Sequence, residues 1–175
     1  MSNPDAREIT QQLFHGLEAV IVNQFRISQS LLEIVQNERQ ALVKSDIDYL
    51  TKLVEEKEFL LDEMGQCENT RKGICENIAS INGFPESTKM SDLLEKFQAV
   101  TVDRIKCLHE GIVTVQIKIK EINQGNESLA NINIERLDSL QGFLLSLFTP
   151  SSYYQPSGKP SGEQPSATYG VHKSA

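Results

Sequence analysis

A chain of 175 residues with an ordinary apolar share of 39% is long enough to enclose one core of its own. Its net charge of -7 excludes binding of nucleic acid through the phosphate backbone, which needs a basic face. No apolar run approaches membrane-spanning length, so membrane insertion is not expected. Glycine and proline are sparse until the end while Leu, Ile, Glu, Gln and Lys abound, which favours helix throughout.

The opening MSNPDAREIT lacks a basic segment followed by an apolar core, so no signal peptide is expected and a cytoplasmic location follows. Asn3-Pro4-Asp5 reads as a helix start, with a capping side chain, proline at the first position and acidic residues in the first turn. The first helix is expected over about 4–44. Leu13, Leu17, Val20, Gln24, Ile27, Leu31, Ile34, Glu38 and Ala41 recur along it at alternating steps of four and three. That spacing places them on one stripe. His15 on this helix has no evident partner.

Lys44-Ser45-Asp46 is the bend of an antiparallel hairpin, with Ser45 or Asp46 capping a second helix over about 46–82. Its stripe is Leu50, Leu53, Lys57, Leu60, Met64, Cys67, Arg71, Ile74, Ile78 and Ile81. Folding the chain at Ile47–Asp48 brings Glu38 opposite Lys57 and Gln24 opposite Arg71. Complementary polar layers of this kind fix register at some cost in stability. A plainer reading lays the stems of Lys57 and Arg71 along the seam with their heads in water, and the two readings coexist. Asn82-Gly83 followed by Pro85 ends the second helix, and Phe84 tucks back onto the hairpin end.

A third helix is expected over 91–148, capped by Ser87, Thr88 or Ser91 and able to bend near 123–126. There Gly125 weakens the helix, and Asn126 and Asn133 stand where apolar residues would be expected. Its end, LANINIERLDSLQGFLLSLF, is apolar on more than one face. It either folds back onto the bundle or presents an interaction surface to another chain. A membrane-surface helix is disfavoured because the Lys/Arg-rich polar face is missing. After residue 148 the composition turns to Pro, Ser and Gly, so 149–175 reads as a flexible tail whose adhesive points are Tyr153, Tyr154 and Tyr169.

No chemistry-bearing constellation is present. The sequence has no phosphate loop, nucleophile elbow or HExxH motif, and its carboxylates are spread as helix faces are. Cys67, Cys75 and Cys107 include no CxxC, and Cys107 and His109 point to different sides, so a metal site is not expected. The chain is read as a non-enzyme with no cofactor. Its expected fold is all-α: an antiparallel long-helix hairpin plus a third long helix in a coiled-coil-like bundle over 1–148, with a disordered C-terminal tail.

Two blocks carry a resemblance to a known family. One is Leu31-Leu32 through Glu38-Arg39-Gln40-Ala41-Leu42, then Asp46, Leu50, Glu56-Lys57, Leu61 and Arg71. The other is Glu121-Ile122-Asn123-Gln124-Gly125-Asn126 with Leu129. Tyr154-Gln155-Pro156-Ser157-Gly158 is similar to a Tyr…Gly segment near the family's C-termini. In order and spacing these resemble the FlgN-type flagellar export chaperones. The resemblance implies a chaperone that binds hook-associated proteins of the hook–filament junction before export and delivers them to the export machinery. It implies capture of the client's C-terminal helices by the chaperone's C-terminal part. The expected partner-binding residues are Leu129, Ile132, Leu137, Leu140, Phe143, Leu144, Leu147, Phe148 and Tyr154. A structural coiled-coil module that oligomerises through 137–148, as a homodimer for instance, stays open beside this. So does a chaperone for another secretion client.

Overall fold

The computed structural model describes residues 4–148, with side chains over 6–147. Four helices follow one another: α1 (Pro4–Lys44), α2 (Ile47–Ile81), α3 (Met90–Lys96) and α4 (Val100–Phe148). The chain divides into two compact units, Met1–Ile134 and Glu135–Ala175, and α4 runs across the division. Among the described residues there is no strand, and no helix is long and apolar enough to cross a membrane. The all-α hairpin with a further long helix is therefore the fold. The proposed cap at Asn3 and the tail 149–175 lie outside the described residues.

The hairpin bend is built by backbone geometry. Ser45 takes a left-handed conformation (φ 56°), which lets Ser45 N–H donate to Leu42 O (3.2 Å) and Asp46 N–H to Ala41 O (2.9 Å). These two bonds satisfy carbonyls that the end of α1 would otherwise leave open. Asp46 then caps α2, its carboxylate accepting from Tyr49 N–H at 3.1 Å. At the far end of α2 the same device recurs with glycine. Gly83 (φ 72°) donates to Ser80 O and Phe84 N–H to Ala79 O. Phe84 packs on the core as expected, edge-on to Phe97 at 6.3 Å between ring centroids.

Apolar burial is concentrated in two places within unit Met1–Ile134. The larger cluster includes Phe14, Leu17, Ile21, Ile78, Leu93, Leu94, Val102 and Ile105. The smaller, near the hairpin bend, holds Ile34, Ala41 and Leu53, with Leu50 and Leu60 against them. A fully buried side chain of this size contributes about 1.5–3 kcal/mol, so these clusters drive the helices together. α1 buries more than the expected single stripe. Phe14, Ile21, Ser28 and Val35, each seven residues from the next, are also buried. At this second stripe the Phe14 ring packs against Phe97, and Asn126 of α4 reaches the main chain at Val35.

Polar layers set the alignment. Lys57 Nζ donates to both Glu38 oxygens (3.1 and 3.0 Å) and to Asn123 Oδ1 of α4 at 3.3 Å, so the expected Glu38–Lys57 pair forms and extends to a third helix. Gln24 and Arg71 also share a layer, but through an intermediary. Glu68 accepts from Gln24 Nε2 at 3.2 Å and from Arg71 Nε and Nη2 at 2.7 and 2.6 Å. Arg71 finds a full charge one turn away on its own helix, which outcompetes the neutral amide across the seam. A further layer joins Asn82 Nδ2 to Thr10 Oγ1 at 3.2 Å.

α4 runs parallel to α1 in constant register. Asn126 Nδ2 donates to Val35 O (2.9 Å) and Asn133 Nδ2 to Leu42 O (3.0 Å), both across 91 residues of sequence. The amides that stand where apolar residues were expected thus clamp α4 to α1, and the helix is continuous at 123–126. A Cβ on Gly125 would meet only the tip of the Arg39 side chain, 2.8 Å from Nη1, which is free to move aside. The break in the third helical run falls instead at Phe97-Gln98-Ala99, dividing the expected 91–148 helix into α3 and α4. Phe97 is extended (φ -118°, ψ 137°) and sets its ring 5.0 Å from that of Phe14. None of the three expected caps serves α3, whose N-cap is Lys89 with no side-chain bond. His15, expected to lack a partner, has its Nδ1 3.9 Å from Glu18.

Two outcomes follow from these layers. Lys57→Met leaves Glu38, whose side chain is only 8% exposed, without its cation. It should cost about 3 kcal/mol in denaturant unfolding, and adding Glu38→Leu should recover most of the loss. A single-variant cost near zero would show that the pair is solvated. The second outcome concerns pH. Hydrogen bonds from Arg71 hold the Glu68 carboxyl below its ordinary value, against the opposing effect of burial, with Gln24 and Lys72 adding to the depression. A carboxylate depressed in the folded state stabilises above its unfolded pKa, and the benefit is lost as pH falls through the folded value. Glu68→Gln should therefore be less stable than the parent at pH 7, with the gap closing below about pH 4. A gap independent of pH would contradict this.

Candidate functional site

The nine residues expected to bind a partner fall in three situations. Leu129 is half-buried and Ile132 is 46% exposed, both within unit Met1–Ile134. Leu137, Leu140, Phe143, Leu144 and Leu147 belong to the second unit and are all exposed, between 52% and 63%. Phe148 ends α4 but its side chain is outside the described residues, and so is Tyr154 altogether.

Within the second unit the local sequence explains both the helix and its unusual surface. From residue 135 to 147 the chain holds no proline and one glycine, Gly142, with leucine at five positions, so helix propensity is high. At 100° per residue, Leu137, Leu140, Phe143, Leu144 and Leu147 occupy an arc of about 120°. Leu145, 61% exposed, stands outside that arc, which widens the apolar surface beyond one stripe. The polar side is sparse. Glu135, Arg136 and Asp138 are the ionisable residues of 135–147, and the hydroxyls of Ser139 and Ser146 turn inward to Glu135 O and Phe143 O.

A stretch with this many exposed large apolar side chains has one evident capacity, the burial of a partner's apolar face. A helix laid along the arc would meet apolar residues at steps of three and four, the pattern by which amphipathic helices are recognised. With so few charges nearby, binding here would depend little on salt. Nothing in the stretch supplies a nucleophile, a base or a ligand set. Among the described residues no group of three His, Cys, Asp or Glu could hold a metal ion. Cys75 is buried, which raises its thiol above the ordinary value, while Cys67 accepts a hydrogen bond from Asn23 Nδ2 at 3.0 Å.

With this geometry in hand, the comparison with known families is decisive. The model of the FlgN protein family matches residues 13–162. The chain belongs to the FlgN family. No curated protein and no solved structure matches it. The match takes in the hairpin, the amide-clamped portion of α4 and the apolar end alike. FlgN proteins are flagellar export chaperones, a role that calls for a recognition surface and not for a catalytic centre. In this FlgN chain Asn123 and Asn126 are accounted for structurally: one accepts from Lys57, the other donates to Val35 O. They are interface residues of the bundle. Sequence reasoning passed over Ile134, 56% exposed, because it falls between the expected stripe positions; its exposure alone reveals it.

Proposed function

We propose that this FlgN chain is a cytoplasmic export chaperone that captures hook-associated proteins of the hook–filament junction through the apolar end of α4. It keeps their assembly helices covered until delivery to the export machinery. The observation that carries this reading is the exposure of Leu137, Leu140, Phe143, Leu144 and Leu147 on one helix end. Family membership supports a client that is a flagellar export substrate. The chemistry of the end supports a client segment that is an amphipathic helix. Such a helix polymerises through its apolar face, so covering that face with leucine and phenylalanine would delay assembly without any reaction. Each of these side chains stands to lose about half its water-exposed apolar surface, on the order of 1 kcal/mol apiece before the costs of association.

The test is binding of the full-length chain to the C-terminal helical segment of a hook-associated protein. It should be set beside a truncation after Arg136 and the full-length double variant Leu140→Ser/Leu144→Ser. The truncation should abolish binding and the double variant should weaken it at least about tenfold. The double variant should unfold near the parent's midpoint, since Leu140 and Leu144 are exposed. Retained binding in both would exclude the apolar end as the client site. Loss of self-association instead, with no client bound by the parent, would favour an oligomerisation module.

A further inference from the structure

A second recognition surface lies on the hairpin itself, and it goes beyond the client-binding reading. Near the bend, α1 and α2 enclose an open groove of about 640 Å³ that no other helix lines. Its floor is Ile34, Leu53 and Leu60, part of the smaller apolar cluster. Two aromatics stand over it: Phe59, 64% exposed, and Tyr49, 42% exposed. Glu33, Glu55 and Glu56, all exposed, line it together with Ser30 and Asn37, and no lysine, arginine or histidine joins them. None of these three carboxylates takes part in an ion pair among the described residues.

An exposed phenylalanine beside an apolar floor is the composition of an interface anchor. Three unpaired carboxylates around it specify the sign of what it meets. From Tyr49 to Leu60 the groove follows about 16 Å of α2, the length of roughly three helical turns. We infer that this groove receives a basic amphipathic helix of a partner protein, with apolar residues at helical spacing on one face and lysine or arginine flanking them.

Charge selects this occupant over the alternatives. A second copy of the chain would bring its own net charge of -7 to the same acidic rim. The apolar end of α4 would bring Glu135 and Asp138 against a single Arg136, which does not complement three carboxylates. An anionic lipid surface would be repelled. Recognition here would therefore weaken with salt, in contrast to the α4 end.

The probe is a labelled 18-residue helical peptide of leucine and lysine, leucines on one face, titrated by fluorescence anisotropy into the full-length chain carrying Leu140→Ser/Leu144→Ser, so that the apolar end of α4 does not compete; this chain is the parent for the groove variants. The same peptide with glutamate for lysine is the control. The lysine peptide should bind, with affinity falling as salt rises, and the glutamate peptide should not. Phe59→Ser and the triple variant Glu33→Gln/Glu55→Gln/Glu56→Gln should each weaken binding at least about tenfold, the latter also flattening the salt dependence. These side chains are exposed, so circular dichroism should stay at the parent's value, and Tyr49→Ser gives an independent second reading. The inference is overturned if groove variants bind like the parent, if the glutamate peptide binds equally, or if neither peptide binds. It is also overturned if Phe59→Ser alters only self-association in sedimentation, which would make a second copy the occupant.

Discussion

The layer formed by Glu38, Lys57 and Asn123 ties one residue from each of the three long helices at a single level of the bundle. Apolar side chains spaced at three and four would still meet if a helix slid by one heptad, because leucine and isoleucine are interchangeable in such seams. A carboxylate that is nearly buried tolerates no such slip, since it would be left without a cation. The layers at Thr10–Asn82 and Gln24–Glu68–Arg71 repeat the constraint along α1, whose polar members Thr10, Gln24 and Glu38 stand two heptads apart. Burial supplies the stability of this bundle and the polar layers supply its uniqueness.

What the frame achieves for function is a division of labour along α4. Up to Asn133, three of its amides, Asn123, Asn126 and Asn133, tie it to α1 and α2. Beyond that, the exposed positions 137–147 contribute no side chain to either apolar cluster. A chaperone of this kind needs a surface apolar enough to cover a client helix and a frame whose stability does not depend on that surface being covered. The hairpin groove adds a surface of opposite character, where carboxylates and aromatics in place of leucines set the choice of partner.

Much of this was legible in the sequence. The hairpin, its bend at Ser45-Asp46, the end of α2 at Gly83 and the Glu38–Lys57 pair follow from periodicity and turn chemistry, which act locally or between sequence neighbours. The second stripe of α1 was hidden because a seven-residue series containing Ser28 does not stand out beside the stronger 3-4 pattern. Asn126 and Asn133 were seen only as amides in apolar positions, since a sequence does not show that an amide has a main-chain carbonyl of another helix to address. Gln24 and Arg71 were correctly placed in one layer, yet Glu68 was missed as the group between them. The division at Phe97 answers to tertiary packing, the ring seating beside Phe14, and has no local breaker to announce it. Of the expected partner-binding residues, Leu137, Leu140, Phe143, Leu144 and Leu147 are exposed, whereas Leu129 is half-buried. Periodicity alone does not tell an inward stripe from an outward one.

Hydrogen–deuterium exchange of the full-length chain, free and bound to the C-terminal helical segment of a hook-associated protein, addresses the central claim most directly. The bundle amides of α1, α2 and α4 around the polar layers should be protected in both states, while those of 137–147 should gain protection only when the client segment is present. Protection of 137–147 already complete in the free monomer, or new protection confined to other parts of the chain, would contradict the account.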